Sequence, residues 1–595
     1  MPVPEGVMRS GRRRFMTLLA VVATLALIIP ATTLAAKPPV TPPHAVNVQL
    51  LAINDFHGNL EPPTGSSGRV GTAANDLACI AAPDCDLAGG FAYLADDVKD
   101  LEATNPGNTL VVAAGDSIGG TPLISAAFHD EPTIEALNLI GLDVSAVGNH
   151  EFDEGVTELL RIQNGGCHPT DGCDTGHTYA GADFEYLAAN VVDKISGESI
   201  LPATTVKTVD GVKVGFIGLT LEGTNLIVSA SGIQTVNFLD EASTINAAAH
   251  DLRLAGVKTI VVLIHEGGGQ SAAFTNTSIN TCTGMSGAIN DIVANLTTPV
   301  DLVVSGHTHN AYNCLLPRGD GTLIPVTSAS SFGRLVTDID MKINPTSGRP
   351  MSISVDNKIV LRDDTDAAAA TLVSTYQTAV APIANRIVGS ITANITRSGN
   401  SAGESQLGDV IADAQLAYTQ SVGAQLAFMN PGGIRADLTF AGSPVGEGDG
   451  VVTFGEIFNV QPFNNLVVTQ DMTGAQIKAV LEQQWAACTP PGRSQNATVI
   501  LQVSATFTYS YNDTLACGSR ISEMELNGSP IDPATTYKVT ANNFLADGGD
   551  SFPAFAVGTN RVFAPAFDVD ALEAYIAAHS PVPPGPQNRI TKILP

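Results

Sequence analysis

Asp301-Leu-Val-Val-Ser-Gly-His307-Thr-His309 sets the reading of this chain. A short apolar run stops at Gly306, and two histidines follow one residue apart. Four more stretches have the same build: Leu50 to His57, Thr109 to Asp116, Val144 to Asp153 and Thr259 to His265. Each is a Val-, Ile- and Leu-rich run that does not alternate with polar residues, the pattern of a strand buried on both faces. Each ends in Asp or His. Helical periodicity fills the intervals at Phe91 to Ala103, Thr133 to Leu142 and Glu241 to Ala255. Strand alternating with helix predicts an α/β domain with helices covering a sheet. Such sheets collect functional side chains at the carboxyl ends of their strands, so the five clusters are expected to meet.

Working outward, 595 residues exceed one ordinary core and predict two large domains. The first is expected over residues 45–345 and a linker carrying a helix over 346–385, where Asp366 is the expected N-cap. The second, α+β, is expected over 386–595, with helices near Ser405 to Thr419 and Thr473 to Ala487. Its strands are expected at Gln425 to Met429 and in the alternating stretch Leu501 to Tyr509. Segments 163–182 and 268–285 read as surface insertions.

Arg9 and Arg12 to Arg14, an apolar run from Met16 to Ile29, and small residues at Thr33, Ala35 and Ala36 predict a signal peptide over 1–36. That implies a secreted, extracellular or periplasmic protein; Arg12-Arg-Arg-Phe-Met16 also fits the start of a twin-arginine signal. No later run is long enough to predict a membrane span. Eight cysteines in an exported chain favour disulfides. Short loops suggest Cys79–Cys85 and Cys167–Cys173, leaving Cys282–Cys314 and Cys488–Cys517 as local pairs. The absence of Cys-x-x-Cys argues against a zinc cluster. The net charge of -29 opposes nucleic acid and anionic membranes at long range. It does not exclude a small anionic substrate held by bound cations.

The strand-end residues are metal-ligand types. In extended backbone, positions two apart face the same way, so Asp55 and His57 can share an ion, as can His307 and His309. Asp116 has two oxygens and can bridge two ions, Asn149 offers a neutral amide oxygen, and His265 closes its strand. Carboxylate with imidazole suits Zn or Mn. Singly, such residues are caps or surface side chains. Of eleven histidines, however, five (His57, His150, His265, His307 and His309) stand at these strand ends. His44, His129, His168, His177, His250 and His579 fall in helices, loops or the leader and read as structural.

The series Asp-x-His, Gly-Asp, Gly-Asn-His-Glu-x-Asp, His, Gly-His-x-His resembles the calcineurin-like metallophosphoesterases. Asn54-Asp-Phe-His-Gly-Asn-Leu60 and Gly148-Asn-His-Glu-Phe-Asp153 are similar to the exported 5′-nucleotidases, a family that includes bacterial UDP-sugar hydrolases. Asn430-Pro-Gly-Gly-Ile-Arg435, Pro462-Phe463 and Asn543-Phe-Leu-Ala-Asp-Gly-Gly-Asp550 extend the resemblance into the second domain. It implies a β-sandwich flanked by helices, a helical linker and a C-terminal α+β nucleotide-recognition domain. It also implies two divalent ions: one on Asp55, His57, Asp116 and His309, the other on Asp116, Asn149, His265 and His307. His150 would stabilise the phosphoryl transition state, with Asp153 orienting its ring. Asn430 and Arg435 would contact phosphate, Phe463 and Phe544 would sandwich the base, and Asp550 would bind the nucleoside. Animal members carry an Arg pair shortly before a Glu, whereas Arg397 is the nearest Arg before Glu404 here. Arg397 is therefore a further phosphate candidate, and substrate length stays open. The implied reaction is removal of a nucleotide 5′-phosphate. The alternatives are a 2′,3′-cyclic nucleotide phosphodiesterase with 3′-nucleotidase activity, a UDP-sugar hydrolase, and a non-catalytic nucleotide-binding surface protein.

Overall fold

The computed structural model describes residues 44–595 apart from 72–84, 174–177, 229, 273, 442–445, 489–497 and 594–595. The expected signal peptide and Cys79 of the expected Cys79–Cys85 pair fall outside the described residues. The first half is a β-sandwich. One six-stranded sheet has the order Pro350–Ile359, Leu335–Ile343, Val46–Ile53, Thr109–Ala114, Leu142–Ala146, Glu185–Leu187. The other has the order Ala311–Pro317, Leu323–Ala329, Leu302–Ser305, Thr259–His265, Val212–Thr220, Thr204–Val209. Inward-facing Leu50, Val144, Phe216, Val261, Leu263 and Val304 form one core between the sheets. Neighbours on the same strands face the other way. Leu51, Ile53 and Val111 pack with Phe91, Leu94 and Val98 of the helix Phe91–Glu102. Ile217, Ile260 and Val262 pack with Ile245 and Leu252 of the helix Glu241–Leu254. Both faces of a strand such as Thr259–His265 are thus covered and every residue in it is buried, which is why its sequence does not alternate.

Register brings the strand ends level. Ile53 pairs with Ala113, and Ala114 with Ala146, in parallel ladders of one sheet. In the other, Ile264 pairs with Ser305 and His265 with Thr220.

The first sheet does not stop at 345. Pro350–Ile359 pairs antiparallel with Leu335–Ile343, so the expected boundary cuts a ladder. This is an edge strand whose residues are mostly exposed or half-buried, so no apolar run marks it. The helix Ala367–Ala384 follows, and the Asp366 carboxylate accepts from the Ala369 N–H at 2.8 Å. Val373, Tyr376 and Val380 bury against both halves of the chain, in one core with Ile134 and Ile457.

The second half is α+β. A five-stranded sheet has the order Gln502–Val503, Leu426–Met429, Thr536–Asn542, Leu466–Thr473, Thr559–Phe567. A four-stranded sheet runs Ser529–Pro530, Ile521–Leu526, Phe507–Tyr511, Ile590–Lys592. Leu501 to Tyr509 is not one strand: Gln502–Val503 and Phe507–Tyr511 lie in different sheets. A turn closed by Phe507 N–H donating to the Ser504 carbonyl at 3.0 Å separates them. The helix expected over Thr473 to Ala487 spans Gly474–Glu482 and gives way to a short 3₁₀ turn at Ala486–Cys488. Cys167–Cys173, Cys282–Cys314 and Cys488–Cys517 are disulfides. Among the described residues no helix is long and apolar enough to cross a membrane.

Candidate active site

Three strand ends of one sheet and two of the other meet at the mouth of the sandwich. The first two loops are laced together: Asp55 N–H donates to the Gly115 carbonyl and His57 N–H to the Asp116 carbonyl, each at 3.0 Å. The backbone there is not extended. Asp55, His57, Asp116, His307 and His309 all have positive φ, between 46° and 69°. Asp55 and His57 converge through left-handed kinks rather than through the two-residue period of a strand. Non-glycine residues in this region carry strain of order 1–3 kcal/mol each, which persists only where the surroundings impose it.

The side chains fall into two trios of possible ligands, Asp55 with His57 and His309, and Asp116 with His265 and His307. His309 Nε2 lies 3.2 Å from Asp55 Oδ1, and His265 Nε2 lies 2.8 Å from Asp116 Oδ2. Asn149 Oδ1 is 3.0 Å from His307 Nδ1, which places the amide at the second trio. Asp116 Oδ2 is also 3.7 Å from His57 Nε2, so this carboxylate stands between the trios. His307 and His309, separated in sequence by Thr308 alone, belong to different groups.

These residues fit a pair of cations. The Nε2 atoms of His57 and His309 face each other at 3.1 Å. His265 Nε2 is fully buried against the Asp116 carboxylate. Burial and the Arg435 charge hold His57 well below its ordinary range, and burial with His265 pushes His307 down to about 4. Both rings are thus in the neutral, ligating form. At His265 burial is outweighed by Asp116 and Asp55, which push it up to about 10, so that corner of the site favours positive charge. The backs of two rings are fixed, with His57 Nδ1 on the Gly119 carbonyl and His265 Nδ1 on the Ala114 carbonyl, both at 2.7 Å. Such outer partners set ring orientation and tautomer.

His150 sits beside the trios with Nδ1 bonded to Asp153 Oδ2 at 2.8 Å. Burial would lower this imidazole, but Asp153 and Asp116 together hold it above its ordinary value. It also lies within ligand distance of His57 and Asp116. Sequence reasoning missed Glu151, between these two residues. Its buried carboxylate accepts from the backbone N–H groups of Asp116 at 2.9 Å and Ser117 at 2.8 Å, and from that of Gly148. It ties the loops after two strands into one unit. Burial and the Asp116 charge push it up to about 7. The available signal was its position inside the Gly148–Asp153 motif, where it had no assigned task. Gly148 has a steric reason: a Cβ there would stand 2.2 Å from Asp116 Oδ1.

The second half of the chain closes the site. Arg435 Nη2 lies 3.3 Å from His57 Nε2, its Nε is buried without a hydrogen-bond partner, and its guanidinium stands 5.6 Å over the Phe463 ring. Phe463 stacks on His150, with centroids 5.4 Å apart. Asn430 Nδ2 donates to Asp550 Oδ2 at 2.7 Å. Asn430, Arg435, Phe463, Phe544 and Asp550 line the same cavity as Asp116, Asn149, His150, Asp153, His307 and His309, with a volume of about 370 Å³. Arg397 is not among the residues lining it. Its Nη2 donates to Ser67 Oγ at 2.9 Å and its Nη1 to the Ile434 carbonyl at 3.4 Å, so it braces the Arg435 loop from behind.

Comparison with known proteins agrees in both halves. Residues 48–311 match the calcineurin-like phosphoesterase family and residues 379–557 the 5′-nucleotidase C-terminal domain. The chain is 32% identical over 543 residues to endonuclease YhcR of Bacillus subtilis, covering 90% of this chain and 40% of that protein. It is 33% identical over 543 residues to the cell wall protein Lmo0130 of Listeria monocytogenes, covering 86% of this chain and 64% of that protein. The chain therefore spans less than two thirds of either relative. The crystal structure of a 5′-nucleotidase precursor from Thermus thermophilus shares the fold. It has a TM-score of 0.73 and 24% identity, covering 92% of this chain and all of that one. The chain belongs to the family that joins a calcineurin-like phosphoesterase domain to a 5′-nucleotidase C-terminal domain.

Proposed function

We propose that this is an exported metal-dependent phosphohydrolase that removes the 5′-phosphate from nucleotides. The observation carrying the reading is the position of Arg435 and Phe463. They come from the second half of the chain and stand directly over His57 and His150 of the first. A cationic fork and an aromatic face beside two ligand trios suit one molecule with a phosphate at one end and a flat base at the other. Asp55, His57, Asp116 and His309 would hold one divalent ion, and Asp116, Asn149, His265 and His307 the other. Two ions bound there would supply activation of a water and screening of phosphoryl charge. Arg435, with a buried unpaired Nε, takes phosphate oxygens through its planar donors. His150, held above its ordinary value by Asp153 and Asp116, donates to a phosphoryl or leaving oxygen as negative charge grows there. Phe463 and Phe544 hold the base, and Asp550, fixed by Asn430, accepts from the nucleoside.

Hydrolysis of AMP, UDP-glucose, 2′,3′-cyclic AMP and 3′-AMP compared across Zn and Mn tests the substrate. AMP is expected to be preferred; inert AMP beside rapid cleavage of the cyclic nucleotide overturns that choice. Fewer than two ions per chain after reconstitution would favour a non-catalytic binding protein.

A further inference from the structure

The strand Thr536–Asn542 ends in an amide that the sequence left without a role. Leu426–Met429 pairs with this strand in parallel, Leu426 with Val539 and Ala427 with Thr540, so Asn430 and Asn542 stand at the same end of the sheet. Asn542 is 1% exposed and is not among the residues lining the cavity. Its side chain nevertheless holds two parts of the cavity wall. Asn542 Oδ1 accepts from the Leu545 N–H at 2.8 Å and caps Asn543–Ala546, the short helix that carries Phe544. Asn542 Nδ2 donates to Asn430 Oδ1 at 3.1 Å, and Asn430 Nδ2 donates in turn to Asp550 Oδ2 at 2.7 Å. We propose that Asn542 is a positioning residue for nucleoside recognition: its amide fixes how Asn430 and Asp550 face the cavity and ties that pair to the helix of Phe544. The proposal rests on the nucleotide reading of the cavity.

The two ends of this relay settle its direction. A backbone N–H can only donate, and a carboxylate can only accept. With the Leu545 N–H at one end, Asn542 turns its oxygen there and its NH2 toward Asn430. With Asp550 at the other end, Asn430 turns its NH2 to the carboxylate and its oxygen back to Asn542. Each amide therefore has one workable orientation. Flipping either one alone sets oxygen against oxygen and N–H against N–H.

Burial raises the cost of such a flip. Asn430 is 2% exposed, hardly more than Asn542, so a misdirected amide group finds little solvent to turn to. The Asn542 amide also reaches the Met429 sulfur at 3.9 Å, but a thioether is a weak acceptor beside the Asn430 oxygen. Asn430, Phe544 and Asp550 all line the cavity, so one buried side chain behind the wall serves three residues in it.

The test is Asn542→Asp in the full chain. Aspartate is close in shape and caps helices well, so the Leu545 contact survives, but it has no N–H for Asn430. An acceptor then meets an acceptor at one end or the other of the Asn430 amide. KM for AMP is expected to rise roughly 10- to 100-fold, the range for losing a hydrogen bond to a charged group, with kcat nearly unchanged. Hydrolysis of p-nitrophenyl phosphate, which has no nucleoside, should stay close to wild type. Asn542→Ser is the gentler variant: its hydroxyl still caps Leu545 but is too short to reach Asn430, and a smaller rise of the same kind is expected. Adenosine binding by titration calorimetry reads the same weakening without turnover. An unchanged KM for AMP in both variants, or equal losses on AMP and the nitrophenyl ester in both, overturns the proposal and leaves Asn542 a helix cap. Wild type that cleaves the nitrophenyl ester but not AMP would sink the nucleotide reading instead, and the adenosine titration then decides the role of Asn542 separately; no adenosine binding by wild type would overturn both.

Discussion

His150 reaches Asp153 through Nδ1 and lines the shared cavity, which gives it a role to be tested apart from the two ligand trios. His150→Ala is expected to keep the metal content and lose about 10²- to 10⁴-fold in turnover, the usual contribution of a positioned acid. Unchanged turnover would remove the His150–Asp153 pair from the mechanism. His307 and His309 allow a finer test, because Thr308 alone separates residues of different trios. Each alanine variant should lose about one ion and the double variant two, read as metal per chain. Identical spectra of the two single variants loaded with cobalt would show that they empty the same position. Much of this was legible in the sequence, since a histidine or aspartate closing a buried strand is chemically conspicuous. The left-handed backbone at Asp55 and His57 was not legible, because only the loops packed around them impose φ near +50°. Glu151 was missed because a buried carboxylate that binds only backbone N–H groups leaves no spacing pattern.

Elements with two covered faces were legible, and those at edges were not. Thr259–His265 announces itself by composition, whereas Pro350–Ile359 is half exposed and belongs to the first sheet only through its ladder. Leu501 to Tyr509 alternates like a single strand, yet it is two strands in two sheets, a tertiary choice that local periodicity does not encode. The helix Asp568–His579 gives a prediction at this scale. Asp568 stands in its first turn, where the helix dipole favours a carboxylate by about 0.3–1 kcal/mol. Burial at 1% exposure outweighs that and pushes Asp568 up to about 7. A carboxyl raised in the folded state stabilises most below its unfolded value near 4, and that stability is lost as pH rises toward 7. Asp568→Asn should therefore match the wild type near pH 4. The variant should become relatively more stable by at most about 1.4 kcal/mol per pH unit up to about pH 7, measured as urea midpoints. A constant difference across that range would show that the carboxyl does not titrate with folding.

Across the whole molecule, the two halves contribute different kinds of residue, ligands from the first and Arg435 with the aromatic faces from the second. Phe463 lies flat on His150, so one face of its ring is already covered. Phe463→Ala should raise KM for AMP roughly 5- to 150-fold, corresponding to about 1–3 kcal/mol per stacked base. It should leave hydrolysis of a small phosphate ester without a base nearly unchanged; an equal loss on both substrates would make Phe463 a packing residue instead. Arg397 shows the limit of reading at this scale. Its sequence neighbourhood suggested phosphate, but its guanidinium reaches Ser67 across the halves, a contact between residues 330 positions apart. The Cys282–Cys314 disulfide has a topological consequence. The covalent ring it closes, with a sequence separation of 32, contains both His307 and His309. One ligand of each trio is thus threaded on the same closed circuit. In the chain-entropy picture such a closure removes on the order of 3–4 kcal/mol of freedom from the unfolded chain. The two proposed ion positions would therefore share a single oxidation event, and reduction of this disulfide is expected to loosen both together.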